Sequence, residues 1–302
     1  MKPLLVLVGM IFSLACVAKD NSIPLLSIQG ADWTIEETAF IKALHHKGSI
    51  QIATKTSSVV YMQHKDDSIS GFHYSVLKEF ADLTKIDIDI KLVVWNQYFY
   101  KKNEDLGKAE SDPSYSYIPT LIENVDIYLD GITALPWREQ MFDIVKFIPT
   151  RQMIISRKNN KPIDVADLHN RVCAMVKHTS MERQIEQLKE KNNINIVYKN
   201  ADDFDSMDKM VSESKADFTV YDSDRAFAAL QNYSNLTIVW PLSDIQMQGW
   251  AINKNNKLLK SILEKYIKYA QETGVLDKYW KRSYGVTFVE YLSILNLGVT
   301  KH

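Results

Sequence analysis

The chain has 302 residues, of which 46% are hydrophobic and 24% are charged, and its formal net charge at pH 7 is -1. A chain of this length and composition can form one large or two ordinary domains with a substantial core. Acidic and basic residues are interleaved and nearly equal in number, so the sequence lacks the basic surface of a nucleic-acid-binding protein.

The N-terminus predicts export. Lys2 precedes a nearly unbroken apolar run over residues 4–15, as in a secretory signal peptide. The run is too short to span a bilayer, which needs roughly 18 apolar residues, and no later stretch reaches that length. Small residues at Cys16 and Ala18 favour a signal peptide over residues 1–18, with lipid attachment at Cys16 as the less favoured alternative. We expect a periplasmic protein without a membrane span.

From residue 49 the chain alternates between strand and helix patterns. The predicted elements are, in order, a strand over 49–55, a helix after Gly71, a strand over 86–95, a polar insertion over 96–116, a short helix over 118–122 and a strand over 126–132. This alternation favours a parallel sheet covered by helices.

A second α/β unit follows an extended segment over residues 143–158. Its predicted strands and helices alternate over residues 171–177, 180–191, 194–200, 203–214, 216–222, 224–232 and 236–243. A second extended segment over 236–254 leads back to the first unit, and a last amphipathic helix stops at Gly274.

The predicted architecture is therefore two α/β lobes joined by two crossing segments. We assign residues 49–149 and 248–290 to the first lobe and 150–247 to the second, with a lead-in over 19–48 and a tail over 291–302. In such sheets, ligands bind in the crevice at the carboxyl ends of the strands.

Five motifs occur in one order along the chain: GFHYSVLKEFA (71–81), DIYLDGITALPWREQ (126–140), VADLHNRVCAMVKHTS (165–180), ADFTVYDSDRAFAAL (216–230) and GWAINKNNKLLKSI (249–262). In these motifs the chain resembles family 3 periplasmic solute-binding proteins. The resemblance implies the type II periplasmic-binding-protein fold, an α/β fold with a ligand cleft between two lobes. It also implies binding of a solute without catalysis or a cofactor.

The resemblance assigns ligand-binding residues. The family step Gly-Ile-Thr-x-x-x-x-Arg matches Gly131, Thr133 and Arg138, and its arginine holds the α-carboxylate of the ligand. A guanidinium suits this role because it binds a carboxylate bidentately and stays charged when desolvated. Asp222 matches the position that binds the α-amino group, so a zwitterion would join the lobes and favour their closure.

Further candidates lie where the chain departs from the family pattern. Thr179 follows His178, where the family has Gly-Thr, and Ser57 and Tyr61 stand in a first loop that lacks the family's Pro-Phe step. Each candidate also has a structural interpretation. Arg138 could be a surface or helix-end charge, and Asp222 could cap the helix that follows it.

Other chemistry has little support in the sequence. The histidines show no metal-ligand spacing, and no nucleophile elbow or phosphate-binding loop is present. Glu110 in AESDPS resembles the Glu-Ser of lytic transglycosylases, but the rest of that motif set is missing. A dehydratase activity, known in some members of this fold, has no positive sign here, so we predict no enzyme.

Closer likenesses leave two functions open. Residues 56–81 and 276–295 resemble the solute-binding-like regulatory domain of membrane-bound lytic transglycosylase F, and residues 33–55 resemble the sensor domains of some histidine kinases. The first function is periplasmic binding of an amino acid or short peptide-like ligand by a monomer that delivers it to an ABC permease. The alternative is a ligand-sensing or regulatory module that serves no permease.

Overall fold

The computed structural model describes residues 23–93, 124–177 and 179–296. In these residues the strands are β1 (Ser49–Thr54), β2 (Met62–Gln63), β3 (Ile69–Ser70), β4 (Asp87–Leu92), β5 (Ile127–Thr133), β6 (Phe142–Thr150), β7 (Gln152–Arg157), β8 (Val172–Met175), β9 (Val197–Asn200), β10 (Phe218–Asp222), β11 (Leu236–Pro241) and β12 (Gln246–Asn253). The α-helices are α1 (Ile35–Lys47), α2 (Phe72–Thr84), α3 (Pro136–Met141), α4 (Ser180–Asn192), α5 (Phe204–Ser212), α6 (Ser223–Asn232), α7 (Lys257–Glu272), α8 (Val275–Tyr284) and α9 (Phe288–Asn296).

The first sheet has the strand order β4-β1-β5-β12-β6. Strand β1 is parallel to β4 and β5, whereas β12 is antiparallel to β5 and β6. Helix α2 buries the apolar face that the sequence predicts, formed by Phe72, Val76, Leu77, Phe80 and Ala81. Each large side chain of this kind contributes about 1.5–3 kcal/mol when it leaves water, so α2 is firmly held beside the cleft.

The second sheet has the order β11-β7-β10-β8-β9. Strand β8 is parallel to β9 and β10, and β7 is antiparallel to β10 and β11. Cys173 in β8 is fully buried, and burial raises the pKa of its thiol. The residue is therefore a core side chain, as its place in the middle of a predicted strand indicates.

The two sheets are joined by two crossings. Strand β6 ends at Thr150 in the first sheet and β7 begins at Gln152 in the second, while β11 ends at Pro241 and β12 begins at Gln246 back in the first. The prediction of two α/β lobes joined by two crossing segments is confirmed. No helix within the described ranges is both long and apolar enough to cross a membrane.

Two motif glycines are required by the backbone near the cleft. Gly71, at the start of α2, has φ +120, and a Cβ there would lie 2.4 Å from the carbonyl oxygen of Val60. A Cβ on Gly249 would lie 1.7 Å from the carbonyl oxygen of Val145. Both contacts are far shorter than van der Waals separation, so these positions fix how α2 and β12 approach their neighbours.

The structure also differs from the sequence predictions in particular places. Leu92 is 55% exposed although period two places it on a predicted buried face, because β4 is an edge strand of its sheet. Gly274 ends α7 as expected, but α8 begins at the next residue, and α9 starts before the tail predicted to begin at 291. The predicted insertion over 96–116, the helix over 118–122 and Glu110 lie outside the described residues.

Candidate functional site

A cavity of about 60 Å³ lies between the two lobes. Its walls include six residues predicted to bind ligand: Ser57, Gly131, Thr133, Arg138, Thr179 and Asp222. The remaining candidate, Tyr61, is buried but does not line this cavity, and its ring packs edge-on against Tyr74 with centroids 5.4 Å apart. The ligand-binding roles of these seven residues stay predictions, but the fold brings six of the seven together around one cavity.

Arg138 is held in the cavity wall by a tight connection. Thr133 ends β5, and Pro136 opens the short helix α3, where a proline with fixed φ is well tolerated. The guanidinium of Arg138 is only 2% exposed, and its Nη1 donates to the carbonyl oxygen of Thr133 at 3.2 Å. A buried guanidinium facing a small cavity is well suited to receive a carboxylate, because the bond is strong where water is excluded.

Asp222 faces the same cavity from the second lobe. It ends β10 and occupies the N-cap position of α6, yet its side chain makes no capping hydrogen bond. Its Oδ1 is buried and has no hydrogen-bond partner among the described residues. Burial raises the pKa of Asp222 to about 7, an effect that Asp224 strengthens and Arg138 opposes. The carboxylate therefore retains an unused acceptor where a ligand would lie.

Gln248 is a cavity residue that the sequence did not point to. It lies in β12 opposite Thr133, is 2% exposed, and lines the cavity together with Asp222. Its Oε1 has no hydrogen-bond partner in the described part of the chain and would lie 2.8 Å from a Cβ on Gly131, so this glycine leaves room for the amide. Two unsatisfied acceptors, on Gln248 and Asp222, favour a ligand group with several N–H donors.

The start of α4 forms another wall. The hydroxyl of Thr179 accepts from the backbone N–H of Glu182 at 3.3 Å and donates to the carbonyl oxygen of Val176 at 3.0 Å. Thr179 is therefore the N-cap of α4, and its hydroxyl is engaged within its own lobe. Any contact it makes with an anionic ligand group would come from the backbone N–H groups at the helix start, which favour anions.

Lys55 and His73 complete the floor in the first lobe. Lys55 pairs with Asp130 at 2.9 Å and lies over the ring of Phe204, in the second lobe, 4.9 Å from its centroid. His73 accepts a hydrogen bond at Nδ1 from Trp250 Nε1 at 3.0 Å, and burial lowers its pKa to about 4. The ring is therefore neutral near pH 7 and carries its proton on Nε2.

Arg225 makes a direct contact between the lobes. From α6 it donates to Oγ of Ser58, in the first lobe, at 3.2 Å and to Oδ2 of Asp208 at 3.3 Å, and it also pairs with Asp205. Burial raises the pKa of Asp208 to about 6, and the charge of Arg225 opposes that rise. The lobes thus meet through Arg225 and Ser58 as well as through Lys55 and Phe204.

A larger chamber of about 410 Å³ adjoins the cavity. The two share Lys55, Ser57 and Phe204 as common walls. The rest of the chamber is lined by a threonine, three apolar side chains and three carboxylates: Thr56, Leu92, Val93, Val176, Asp202, Asp203 and Asp205. A ligand held in the inner cavity could therefore extend into the chamber.

Comparison with known proteins finds membrane-bound lytic murein transglycosylases F among the curated relatives. Over 257 residues the chain is 23% identical to the membrane-bound lytic murein transglycosylase F of Pseudomonas fluorescens (strain Pf0-1), covering 83% of this chain and 49% of the relative. The chain thus spans about half the length of the curated relatives it matches. No family model matches the chain.

Solved structures give the fold. An amino acid ABC transporter substrate-binding protein of Streptococcus pneumoniae, bound to L-arginine, is similar with a TM-score of 0.63 at 17% identity, covering 81% of this chain and 98% of that one. An ancestral amino acid-binding protein, a precursor of cyclohexadienyl dehydratase, also gives 0.63 at 17% identity, covering 81% and 99%. The chain has the two-lobed type II periplasmic-binding-protein fold, and the resemblance to family 3 solute-binding proteins and to transglycosylase F that its motifs indicate is confirmed.

Proposed function

We propose that this protein binds a small zwitterionic solute between its lobes, with Arg138 holding the carboxylate and Asp222 holding the ammonium group. The observation that carries the proposal is the unpartnered, buried Oδ1 of Asp222 in a cavity that Arg138 lines from the opposite lobe. Charged hydrogen bonds in such a site are stronger than in water because solvent is excluded.

The same arrangement supports closure driven by the ligand. A zwitterion reaches Arg138 and Asp222 together only when the lobes are near one another, so it binds the closed arrangement more tightly. A ligand shifts a conformational equilibrium by its differential affinity for the two states. Gln248 adds a second acceptor for the ammonium group from the lobe of Arg138.

The adjoining chamber leaves room for a ligand larger than glycine or alanine. An inner cavity of about 60 Å³ takes only the charged head of a ligand, whereas about 410 Å³ beside it can take a side chain or a second residue. Apolar walls at Leu92 and Val93 suit an aliphatic stem, and the carboxylates at Asp202 and Asp203 suit a cationic or N–H-rich end. We therefore favour an amino acid with a long side chain or a short peptide over glycine or alanine.

The proposal also concerns where the protein acts and which partner receives its ligand. We propose an exported, periplasmic, monomeric protein that delivers its ligand to an ABC permease and catalyses no reaction. The solved amino-acid-binding proteins with this fold support the solute-binding part. The alternative is a ligand-sensing module without a permease, and it is favoured by the match to transglycosylase F over 83% of the chain.

A thermal-shift screen tests the binding proposal. Amino acids, dipeptides and peptidoglycan fragments are added to the purified protein, to Arg138→Ala and to Arg157→Ala. Arg157 is a matched control because it is also buried but donates to the backbone oxygens of Val211 and Ala216, away from the cavity. Ligand that binds only the folded state raises the melting temperature.

We expect a shift with one ligand class that is lost in Arg138→Ala and kept in Arg157→Ala. The absence of a shift with any zwitterion, or a shift that survives in Arg138→Ala, would refute the proposed site. Co-purification with a permease then supports transport, whereas a stable partner of another kind supports the sensing alternative.

A further inference from the structure

Helix α9 lies across the junction of the two lobes. Tyr291, in its first turn, is fully buried, and its hydroxyl lies 2.6 Å from the carbonyl oxygen of Pro149 and 2.7 Å from Oγ of Ser223. Pro149 is near the end of β6, just before the first crossing, and Ser223 is the first residue of α6. One side chain thus joins the crossing to the helix that begins beside Asp222.

The chemistry of the acceptors fixes two of the proton positions in this network. A carbonyl oxygen can only accept, so Tyr291 donates to Pro149, and the hydroxyl of Ser223 must then donate to Tyr291. The backbone N–H of Arg151 donates to Oγ of Ser223 at 3.3 Å, and the backbone N–H of Ser223 donates to Oγ1 of Thr150 at 3.2 Å. The hydroxyl of Thr150 lies 3.1 Å from Oγ of Ser223, which accepts because its own proton goes to Tyr291.

The network ends at the ligand cavity. The hydroxyl of Thr150 also lies 3.4 Å from Oδ1 of Asp224, so its one proton is shared between Ser223 and Asp224, and Asp224 lines the cavity next to Asp222. Burial raises the pKa of Asp224 to about 6, which Thr150 opposes by donating to the charged form. The orientation of this carboxylate is therefore linked to Tyr291 through two residues, Ser223 and Thr150.

The ring of Tyr291 also contacts both lobes. It packs against Phe227 of α6 with centroids 5.8 Å apart and against Trp280 of α8 with centroids 4.6 Å apart. Trp280 belongs to the core of the first lobe, where its ring packs against Phe72 of α2. Separation of the lobes would have to disturb either this packing or the hydroxyl bridge.

We propose that Tyr291 is a positioning residue for the cleft. Its hydroxyl fixes the start of α6 against the first crossing and holds Asp222 and Asp224 in the orientation of the closed lobes. The inference goes beyond solute binding, because it concerns the relative orientation of the lobes and can be tested without a ligand.

Two tyrosine-to-phenylalanine variants separate the bridge from general packing. Tyr284 is buried in the same aromatic cluster, and its ring centroid lies 4.2 Å from that of Trp280. Its hydroxyl has no hydrogen-bond partner among the described residues. Tyr291→Phe removes a bridging hydroxyl and Tyr284→Phe removes an unbonded one. Ser223→Ala breaks the same bridge from the other side and serves as a second test if Tyr291→Phe does not fold.

The lobe orientation can be measured with spin labels on exposed strand positions, using Lys91→Cys in the first lobe and Lys199→Cys in the second. Cys16 is replaced by serine, and the buried Cys173 is kept. In the ligand-free protein we expect Tyr291→Phe to raise the ratio of open to closed lobes by roughly 30-fold, as the loss of two hydrogen bonds of about 1 kcal/mol each implies. We expect Tyr284→Phe to keep the distance distribution of the parent.

Two results would overturn the inference. One is an unchanged distance distribution in both Tyr291→Phe and Ser223→Ala. The other is the same broadening in Tyr284→Phe as in Tyr291→Phe, which would assign the effect to ring packing. Neither result depends on which ligand the cavity takes, so failure here is distinct from failure of the proposed function.

Discussion

Replacing Asp222 by asparagine should stabilise the ligand-free protein at pH 8. Burial raises the pKa of this carboxylate from 3.8 to about 7, so the folded protein at pH 8 holds a negative charge in a site that disfavours it. Each pKa unit corresponds to about 1.4 kcal/mol, and a rise of about three units therefore costs the folded state about 4 kcal/mol. Asparagine has nearly the same shape and carries no charge.

The stability difference between Asp222→Asn and the parent should grow as pH rises. Between pH 3.8 and about 7 the folded protein binds more protons at Asp222 than the unfolded chain does, so the parent protein loses stability as pH rises through this window. Below the window the carboxyl is neutral in both states. The free energy of unfolding of Asp222→Asn relative to the parent should therefore grow from about zero near pH 3.5 to at most about 4 kcal/mol at pH 8.

Urea unfolding of both proteins at several pH values measures this difference. The same substitution should weaken ligand binding by roughly 10–100-fold, because a hydrogen bond to a charged group is lost. A variant that is less stable than the parent at pH 8, or a stability difference that does not change with pH, would refute the reasoning. Greater stability combined with weaker binding would identify Asp222 as a residue kept for function.

Three further predictions follow from the cavity and its supports. Ligand affinity should fall as pH is lowered from 8 to 6, because Asp222 takes up a proton and loses its charge. Calorimetric titration at each pH measures the affinity, and a constant or rising affinity would contradict the prediction. Gly249→Ala should destabilise the protein by more than about 3 kcal/mol, because its Cβ would meet the carbonyl oxygen of Val145, whereas Gly30→Ala has open space around it and should cost about 1 kcal/mol. Equal melting temperatures for the two variants would count against the close approach of Gly249 to Val145. The parent protein should lose up to about 3 kcal/mol of stability as pH falls from 6.5 to 4, because the unfolded histidine at position 73 binds a proton that the buried folded one does not. His73→Gln should remove this loss, and an equal pH dependence of the free energy of unfolding in both proteins would contradict the prediction.

Local periodicity predicted most of the fold. The apolar face of α2 and the strand that became β5 could be read directly, because a buried face repeats at the period of its own element. The edge position of β4 could not be read, since the order of strands in a sheet depends on contacts between distant segments. Helices α8 and α9 were missed, although Leu276, Trp280, Tyr284, Phe288 and Tyr291 recur at a helical spacing and are all buried.

The site was predicted mainly where a motif carried it, and Ser57 is the exception. Arg138 and Asp222 stand in motif segments, and both line the cavity. Gln248 is identified only in the structure, because the return of β12 beside β5 brings it into the cavity wall that it shares with Asp222. Its position directly before the motif glycine Gly249 is the one local signal. Lys55 ends a predicted strand and has no comparable signal.

A structure of the protein with the ligand from the screen tests the central claim most directly. The account predicts a single solute between the lobes, with its carboxylate on the guanidinium of Arg138, its ammonium group within hydrogen-bond distance of Asp222 Oδ1 and Gln248 Oε1, and its remainder in the chamber beside Phe204. A ligand bound elsewhere, or one in the cleft whose charged groups touch neither Arg138 nor Asp222, would contradict it.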